Sequence, residues 1–223
     1  SKPELLATRP NEVWSWDITK LLGPKKWTYY HAYVILDIFS RYVVGWTVAY
    51  REDSQLAEHL IAETCRKQGI TRGALTVHAD RGTSMTSKPV AFLLADLGVT
   101  KSHSRPHTSS DNPFTESQFK TMKYGPRFPD RFTSIEHARK FFADFVAWYN
   151  QQHHHSGLGL MTPHAVHHGQ VVATTAARQA PLDAAFVLHP ERFVGGRPEA
   201  AAPPPAVWIN PPTAAHGSPT ERP

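Results

Sequence analysis

The sequence predicts a mixed α/β domain built on one five-stranded sheet flanked by helices. Three observations lead there. Three strand-like segments come first, and Val13–Lys20 alternates apolar and polar residues with a period of two. Helical and strand patterns then interleave, giving the order β-β-β-α-β-α-β-α-α. The 223 residues, 40% hydrophobic and 11% aromatic, suffice for one sizeable core.

Residues 1–10, S-K-P-E-L-L-A-T-R-P, read as a linker into a domain spanning 11–170. In Val13–Lys20, Trp14, Trp16 and Ile18 alternate with Ser15, Asp17 and Thr19, which puts Asp17 on the face opposite the tryptophans. Gly23-Pro24-Lys25-Lys26 marks a turn. Tyr29–Phe39 and Tyr42–Tyr50 are two further strands, and the tight Ser40-Arg41 connection pairs them antiparallel. Ser54 caps a helix that runs to about Gln68, stops at Gly69 and buries Leu56, Leu60 and Ile61. Ala74–Ala79 is a short strand delivering Asp80 at its end. A helix over 88–97 closes at Gly98, and Val99–Ser102 is the last strand. Residues 104–113 read as a loop. Helices follow over Phe114–Tyr124 and Ser134–Gln151. The block from Phe141 to Trp148 suits the core or a subunit contact, while Trp14, Trp16, Trp46 and Trp148 read as core. Residues 181–223 hold 10 of the 19 prolines. With no period after about Arg197, the extension 171–223 is expected to be partly extended or disordered.

The net charge is +5, and residues 1–150 carry all of that excess. Within 101–140 there are 8 basic and 4 acidic residues, so the positive charge gathers around Glu116. Such a surface fits a polyanion such as DNA; a merely solvated basic face fits the count equally well. Cys65 is the sole cysteine, which excludes an intramolecular disulfide and a cysteine-based zinc site and suits a reducing compartment. Apolar stretches such as Ala32–Leu36 are too short to span a bilayer, and no membrane partner is expected. The opening at Ser1, without Met, reads as a fragment of a longer chain.

Asp17, Asp80 and Glu116 are the candidate catalytic and metal-ligating residues, with 35 residues between the last two. Two aspartates in or at the end of strands and a glutamate on a helix can meet at one point. Three carboxylates there repel one another and need a cation. Oxygen-only ligands suit Mg²⁺ or Mn²⁺, and two such ions per site form a machine for breaking phosphodiesters. Each residue also has an ordinary role open to it. Asp17 can bond to a turn, Asp80 can belong to a plain Asp-Arg-Gly turn, and Glu116 can favour a helix N-terminus. Asp37 resembles Asp17 but is expected to pair with Arg41 or the following turn. Lys120 and Lys123 follow Glu116 along one helical face, as DNA contacts or as simple ion-pair partners. Asn112, Arg81, His78 and Arg105 complete the candidate DNA contacts, although for His78 a role in the core or in supporting the site is the favoured reading. His153, His154 and His155 are consecutive, which does not favour a shared zinc ion.

The chain resembles the catalytic core of transposases from bacterial insertion sequences, the group related to retroviral integrases. The matching pieces are W-S-W-D-I-T, L-D-I-F-S-R-Y-V-V-G-W, H-A-D-R-G-T-S-M-T-S, D-N-P-F-T-E-S-Q-F-K-T-M-K and Y-N-Q-Q-H-H-H-S-G-L-G-L-M-T-P, over roughly residues 9–170. V-W-I-N-P-P at 207–212 also looks like a C-terminal feature of some such transposases. The resemblance implies a ribonuclease-H-like fold, metal-dependent cleavage of DNA and strand transfer into target DNA. It implies transposon-end and target DNA as partners, a homo-oligomer that cuts two ends in concert, and work in the bacterial cytoplasm at the nucleoid. It also implies an N-terminal DNA-binding region preceding this chain. Two departures stand out: His153–His155 replace an Arg-Pro-His type sequence, and Pro113 follows Asn112 where a small residue is commoner. A nuclease that cuts without joining, and an inactive DNA-binding or assembly module, are the alternatives.

Overall fold

The computed structural model describes residues 2–80, 87–105 and 111–212. After a short strand β1 (Leu5–Ala7) come β2 (Val13–Leu22), β3 (Tyr29–Asp37), β4 (Val43–Ala49), β5 (Thr76–Ala79) and β6 (Thr100–His103). The last five form a sheet in the order β4-β3-β2-β5-β6. The β2–β3 and β3–β4 pairs are antiparallel, while β2–β5 and β5–β6 are parallel. The connections dictate this. A loop closed by the Gly23 N–H on the Thr28 carbonyl at 2.8 Å folds β3 back on β2. Parallel neighbours need crossovers, and α1 (Ser54–Lys67) and α2 (Lys88–Asp96) supply them.

Alternation along the strands sorts side chains into two layers. Trp14, Trp16, Tyr33, Ile35 and Val77 pack with Leu60, Ile61, Val90 and Leu94 of α1 and α2. On the other face, Leu21, Ala32, Val34 and Leu36 pack with Phe119 and Met122 of α3 (Pro113–Lys123) and Phe142, Phe145 and Tyr149 of α4 (Ile135–Gln151). Each large side chain so buried contributes roughly 1.5–3 kcal/mol. Asp17 pairs with Val34 in the β2–β3 register, so it lies on the α3–α4 face, opposite the tryptophans. At Gly45 an added side chain would run into Thr64, so glycine is what lets α1 lie this close to β4. The cap of α1 is Asp53 rather than Ser54: its carboxylate accepts from the Gln55 and Leu56 N–H groups.

Trp148 departs from the expected core, being 38% exposed. It lines, with Met122, Phe128, Phe141 and Phe145, an open pocket of about 370 Å³ between the end of α3 and α4. Among the described residues no helix is long and apolar enough to cross a membrane.

The chain ends differ most from expectation. β1, inside the segment read as a linker, pairs antiparallel with β7 (Val207–Ile209), inside the segment read as a tail. Ala7, Val13, Ile38, Val207 and Ile209 seal this small sheet against the main one. Two further helices were not foreseen, α5 (Pro163–His167) and α6 (Val171–Leu188). None of α6's residues is buried, so it has no apolar stripe to betray it. Extended chain returns along it: Gln179 donates to the Pro198 carbonyl at 2.9 Å and accepts from the Ala200 N–H at 2.8 Å.

Candidate active site

β2 and β5 run parallel with Trp16 beside Ala79, so the next residues along, Asp17 and Asp80, leave the two strands side by side. Adjacent strands are about 4.8 Å apart. Asp17 faces α3, whose first turn carries Glu116. The sequence also fixes where α3 sits on β2. Asn112, the N-cap residue, donates to the Trp16 carbonyl at 3.2 Å and accepts from the Ser15 hydroxyl. Thr115 Oγ1 lies 3.2 Å from the same hydroxyl. Farther along α3, Lys123 donates to Thr19 Oγ1 at 2.7 Å. Ser15, Trp16 and Thr19 flank Asp17, so these contacts set the position of Glu116 relative to it.

The three acids share one electrostatic field. The Asp17 carboxyl is pushed up to about 7, first by burial, against the pull of the Ile18 N–H that it accepts at 2.7 Å. The charges of Asp80 and Glu116 add to the rise, and Lys123 opposes it. Burial in turn pulls the Lys123 ammonium down, and Asp17 partly restores it.

Asp80 is held by the Ser104 hydroxyl, which donates to Oδ1 at 2.6 Å. Behind it stands His78, fully buried. Its Nε2 lies 2.8 Å from the Asp111 carbonyl, which can only accept, so Nε2 carries the proton and Nδ1 accepts from the Ser102 hydroxyl at 3.0 Å. Burial lowers the pKa of His78 and keeps the ring neutral. The Asp111 carboxylate, also fully buried, accepts from Arg105 Nε at 3.0 Å, from Arg105 Nη2 at 2.9 Å and from Asn210 Nδ2 at 2.8 Å. The Arg105 side chain holds it well below the usual carboxylate range. Asp111 thereby ties the end of β6, the start of α3 and the C-terminal strand to the back of the site.

Of the candidate DNA contacts, Asn112 departs from expectation, and His78 takes the core role favoured for it. Asn112 and His78 are fully buried, and their polar atoms are occupied by protein partners, so they position the acids and present no edge to a ligand. Arg105 is 42% exposed, with its guanidinium committed to Asp111. Lys120 is exposed, whereas Lys123 is drawn toward Thr19. Arg81 lies outside the described residues. The three histidines turn to separate partners: His153 stacks on Tyr149, His154 Nδ1 bonds the Leu160 carbonyl at 2.8 Å, and His155 Nδ1 accepts from the Gly157 N–H at 3.1 Å. Ser104, Asp111 and Asn210 were missed. A signal existed for Ser104, two residues beyond Ser102 in strand alternation. For Asn210 the V-W-I-N-P-P likeness marked the segment but not its partner, which is 99 residues away.

Among the described residues no three acidic, histidine or cysteine side chains stand close enough to hold an ion as they are placed. The chemistry of the donor set nonetheless fits one. A carboxyl raised to about 7 by burial and two like charges is what a hard divalent cation relieves, and all three donors are oxygens.

Family models for the integrase core domain match residues 7–109 and 97–163. The transposase for insertion sequence element IS904 of Lactococcus lactis is 34% identical over 169 residues, covering 73% of this chain and 66% of that protein. Transposase InsF for insertion sequence IS3A of Escherichia coli is 29% identical over 161 residues, covering 72% and 55%. The chain therefore spans between about half and two thirds of the length of these relatives. Among solved structures, the simian T-cell lymphotropic virus intasome in complex with the PP2A regulatory subunit B56 gamma superposes with a TM-score of 0.58 at 20% identity, covering 73% of this chain and 56% of that one. The HTLV-2 integrase catalytic core domain in complex with magnesium gives 0.54 at 18% identity, covering 72% and 98%. These likenesses carry the fold, which is ribonuclease-H-like, with the five-stranded mixed sheet found above. By its matched motifs the chain belongs to the integrase-core family, and its relatives are insertion-sequence transposases.

Proposed function

We propose that this chain breaks a phosphodiester at the ends of a mobile DNA element and joins the exposed 3′-hydroxyl to target DNA. The observation that carries the reading is the parallel register that sets Asp17 beside Asp80, with Glu116 in the first turn of the helix docked on the same stretch of β2. Relatives named as insertion-sequence transposases support it, as does the basic excess around Glu116. Asp17, Asp80 and Glu116 would hold two Mg²⁺ or Mn²⁺ ions, which supply Lewis acidity and an activated hydroxyl nucleophile.

The chain's own residues do the positioning. Asn112 and Lys123 dock α3 on β2, Ser104 orients Asp80, and neutral His78 braces the Asp111 main chain behind them. Lys120, exposed one turn after Glu116, would take a phosphate of the DNA backbone. The attacking group is a hydroxyl of water or of DNA, so no serine or tyrosine of the protein serves as nucleophile. Two ends cut in concert call for more than one copy of the chain.

The test is joining of labelled end DNA to a plasmid with Mg²⁺ or Mn²⁺. Asp80→Asn and Glu116→Gln are expected to lose at least about 100-fold in rate, with the fold retained by circular dichroism. Near-normal joining by Glu116→Gln would overturn the proposal. Cleavage without joining by the wild type would make the chain a nuclease instead.

A further inference from the structure

One end of the sheet carries a surface that this chemistry leaves unused. The β2–β3 loop presents Lys25, Lys26 and Trp27. Trp27 is 76% exposed, on a backbone with φ of 69° that side chains of this size rarely adopt. Lys26 Nζ lies 5.3 Å from the ring centroid. The end of α3 is tied to β2, and the chain that follows it is tied to the β2–β3 loop. Lys123 bonds Thr19, the Phe132 N–H donates to the Leu22 carbonyl at 2.9 Å, and Arg131 Nη1 donates to the Gly23 and Lys25 carbonyls at 3.0 and 3.2 Å. Just past α3, Tyr124 is 85% exposed. Lys25, Lys26 and Arg127 are exposed, and among the described residues none of the three forms an ion pair. Asp130 is the sole acid of residues 120–131.

We propose that this surface binds unpaired DNA, with phosphates on the lysines and bases on Trp27 and Tyr124. The inference rests on the function proposed above. Free cations suit any polyanion. Exposed rings gain little from a duplex, whose bases are already stacked inside it. An unpaired base laid on an aromatic side chain is worth about ten-fold or more in affinity, whatever its identity. Cutting one strand near a duplex end leaves unpaired nucleotides on the other, so the proposed reaction itself generates such a ligand. The shared anchoring of the loop and the end of α3 to β2 places this surface on the strand that carries Asp17.

Fluorescence anisotropy of the full chain decides it, with three labelled probes: a short oligothymidine, a blunt duplex, and that duplex with a short unpaired 5′ stretch. Trp27→Ala and Tyr124→Ala are each expected to weaken binding of the two unpaired probes about ten-fold and to leave the blunt duplex within about two-fold. The Lys25→Ala, Lys26→Ala pair should flatten the salt dependence on oligothymidine by about 1.4 in the log–log slope. Unchanged binding of every probe by both aromatic variants would overturn the inference, as would equal loss on the blunt duplex, which would mark a general backbone patch. Joining by the wild type in the same preparation separates the two proposals. If joining is normal while the aromatic variants bind unpaired DNA unchanged, only this inference falls; if the wild type neither binds nor joins DNA, both fall.

Discussion

Asp17 and Asp37 occupy neighbouring strands of one sheet, in the similar contexts W-S-W-D-I and V-I-L-D-I. Burial raises the pKa of both. At the end of β3, Asp37 accepts from the Ser40 N–H, the Ser40 hydroxyl and the Asn11 N–H, each at 2.7 Å, and Arg41 pulls its pKa down. In the middle of β2, Asp17 accepts the N–H of its own neighbour Ile18, and two acids push its pKa up. The expected alternative partner of Asp37, Arg41, lies over the Phe114 ring, 4.1 Å from its centroid, so the turn meets the carboxylate's hydrogen-bonding need. What the chain brings opposite a buried acid thus decides its role. Returning N–H groups make it architecture, and further acids make it a site that calls for a cation.

The largest effect that could break this contrast is on stability. Asp37→Ala removes the acceptor of the Ser40 and Asn11 N–H groups, while the Ser40 hydroxyl keeps His167 Nδ1 at 2.9 Å, and should cost about 3–5 kcal/mol in urea or thermal unfolding. A loss below about 1 kcal/mol would mean that the turn holds itself. Asp17→Asn should do the opposite in metal-free buffer. Because the folded pKa is raised, the cost of Asp17 is absent below its unfolded value near 3.8 and grows as pH climbs toward about 7. The variant should therefore gain about 2–4 kcal/mol at pH 7.5 and less than about 1 kcal/mol at pH 4. Added Mn²⁺ should stabilise the wild type at pH 7.5, by about 2.7 kcal/mol at a hundred times its dissociation constant, and leave Asp17→Asn, Asp80→Asn and Glu116→Gln unmoved. Equal stabilisation of all four proteins would break the link between the three acids and the ion.

Much of this was legible in the sequence because it is local and periodic. Alternation in β2 put Asp17 opposite Trp14 and Trp16, and the tight Ser40-Arg41 turn paired β3 with β4. Asp53 displaced Ser54 as cap because either residue type can fill that position, and only geometry chooses between them. The role of Asn112 was hidden for a different reason. A polar residue beside an acid reads as a ligand contact until its burial is known, and burial here depends on α3 lying against β2. The β1–β7 sheet lay beyond reach altogether, since three-residue strands carry no measurable period and their pairing joins the two ends of the chain.

That terminal sheet supplies the smallest effect and the finest test of how the site is braced. Asn210 has φ of 53°, so glycine is the replacement that keeps its backbone while removing the amide. Asn210→Gly deletes one hydrogen bond to Asp111, which keeps those from Arg105. The loss in stability should be about 1 kcal/mol. Because Asp111 immediately precedes the residue that staples α3 to β2, the joining rate should fall a few-fold while DNA affinity stays constant. A stability loss with an unchanged rate would reduce the C-terminal strand to a fastening. A rate loss rescued by neither excess DNA nor lower temperature would place it among the elements that hold Glu116 to Asp17.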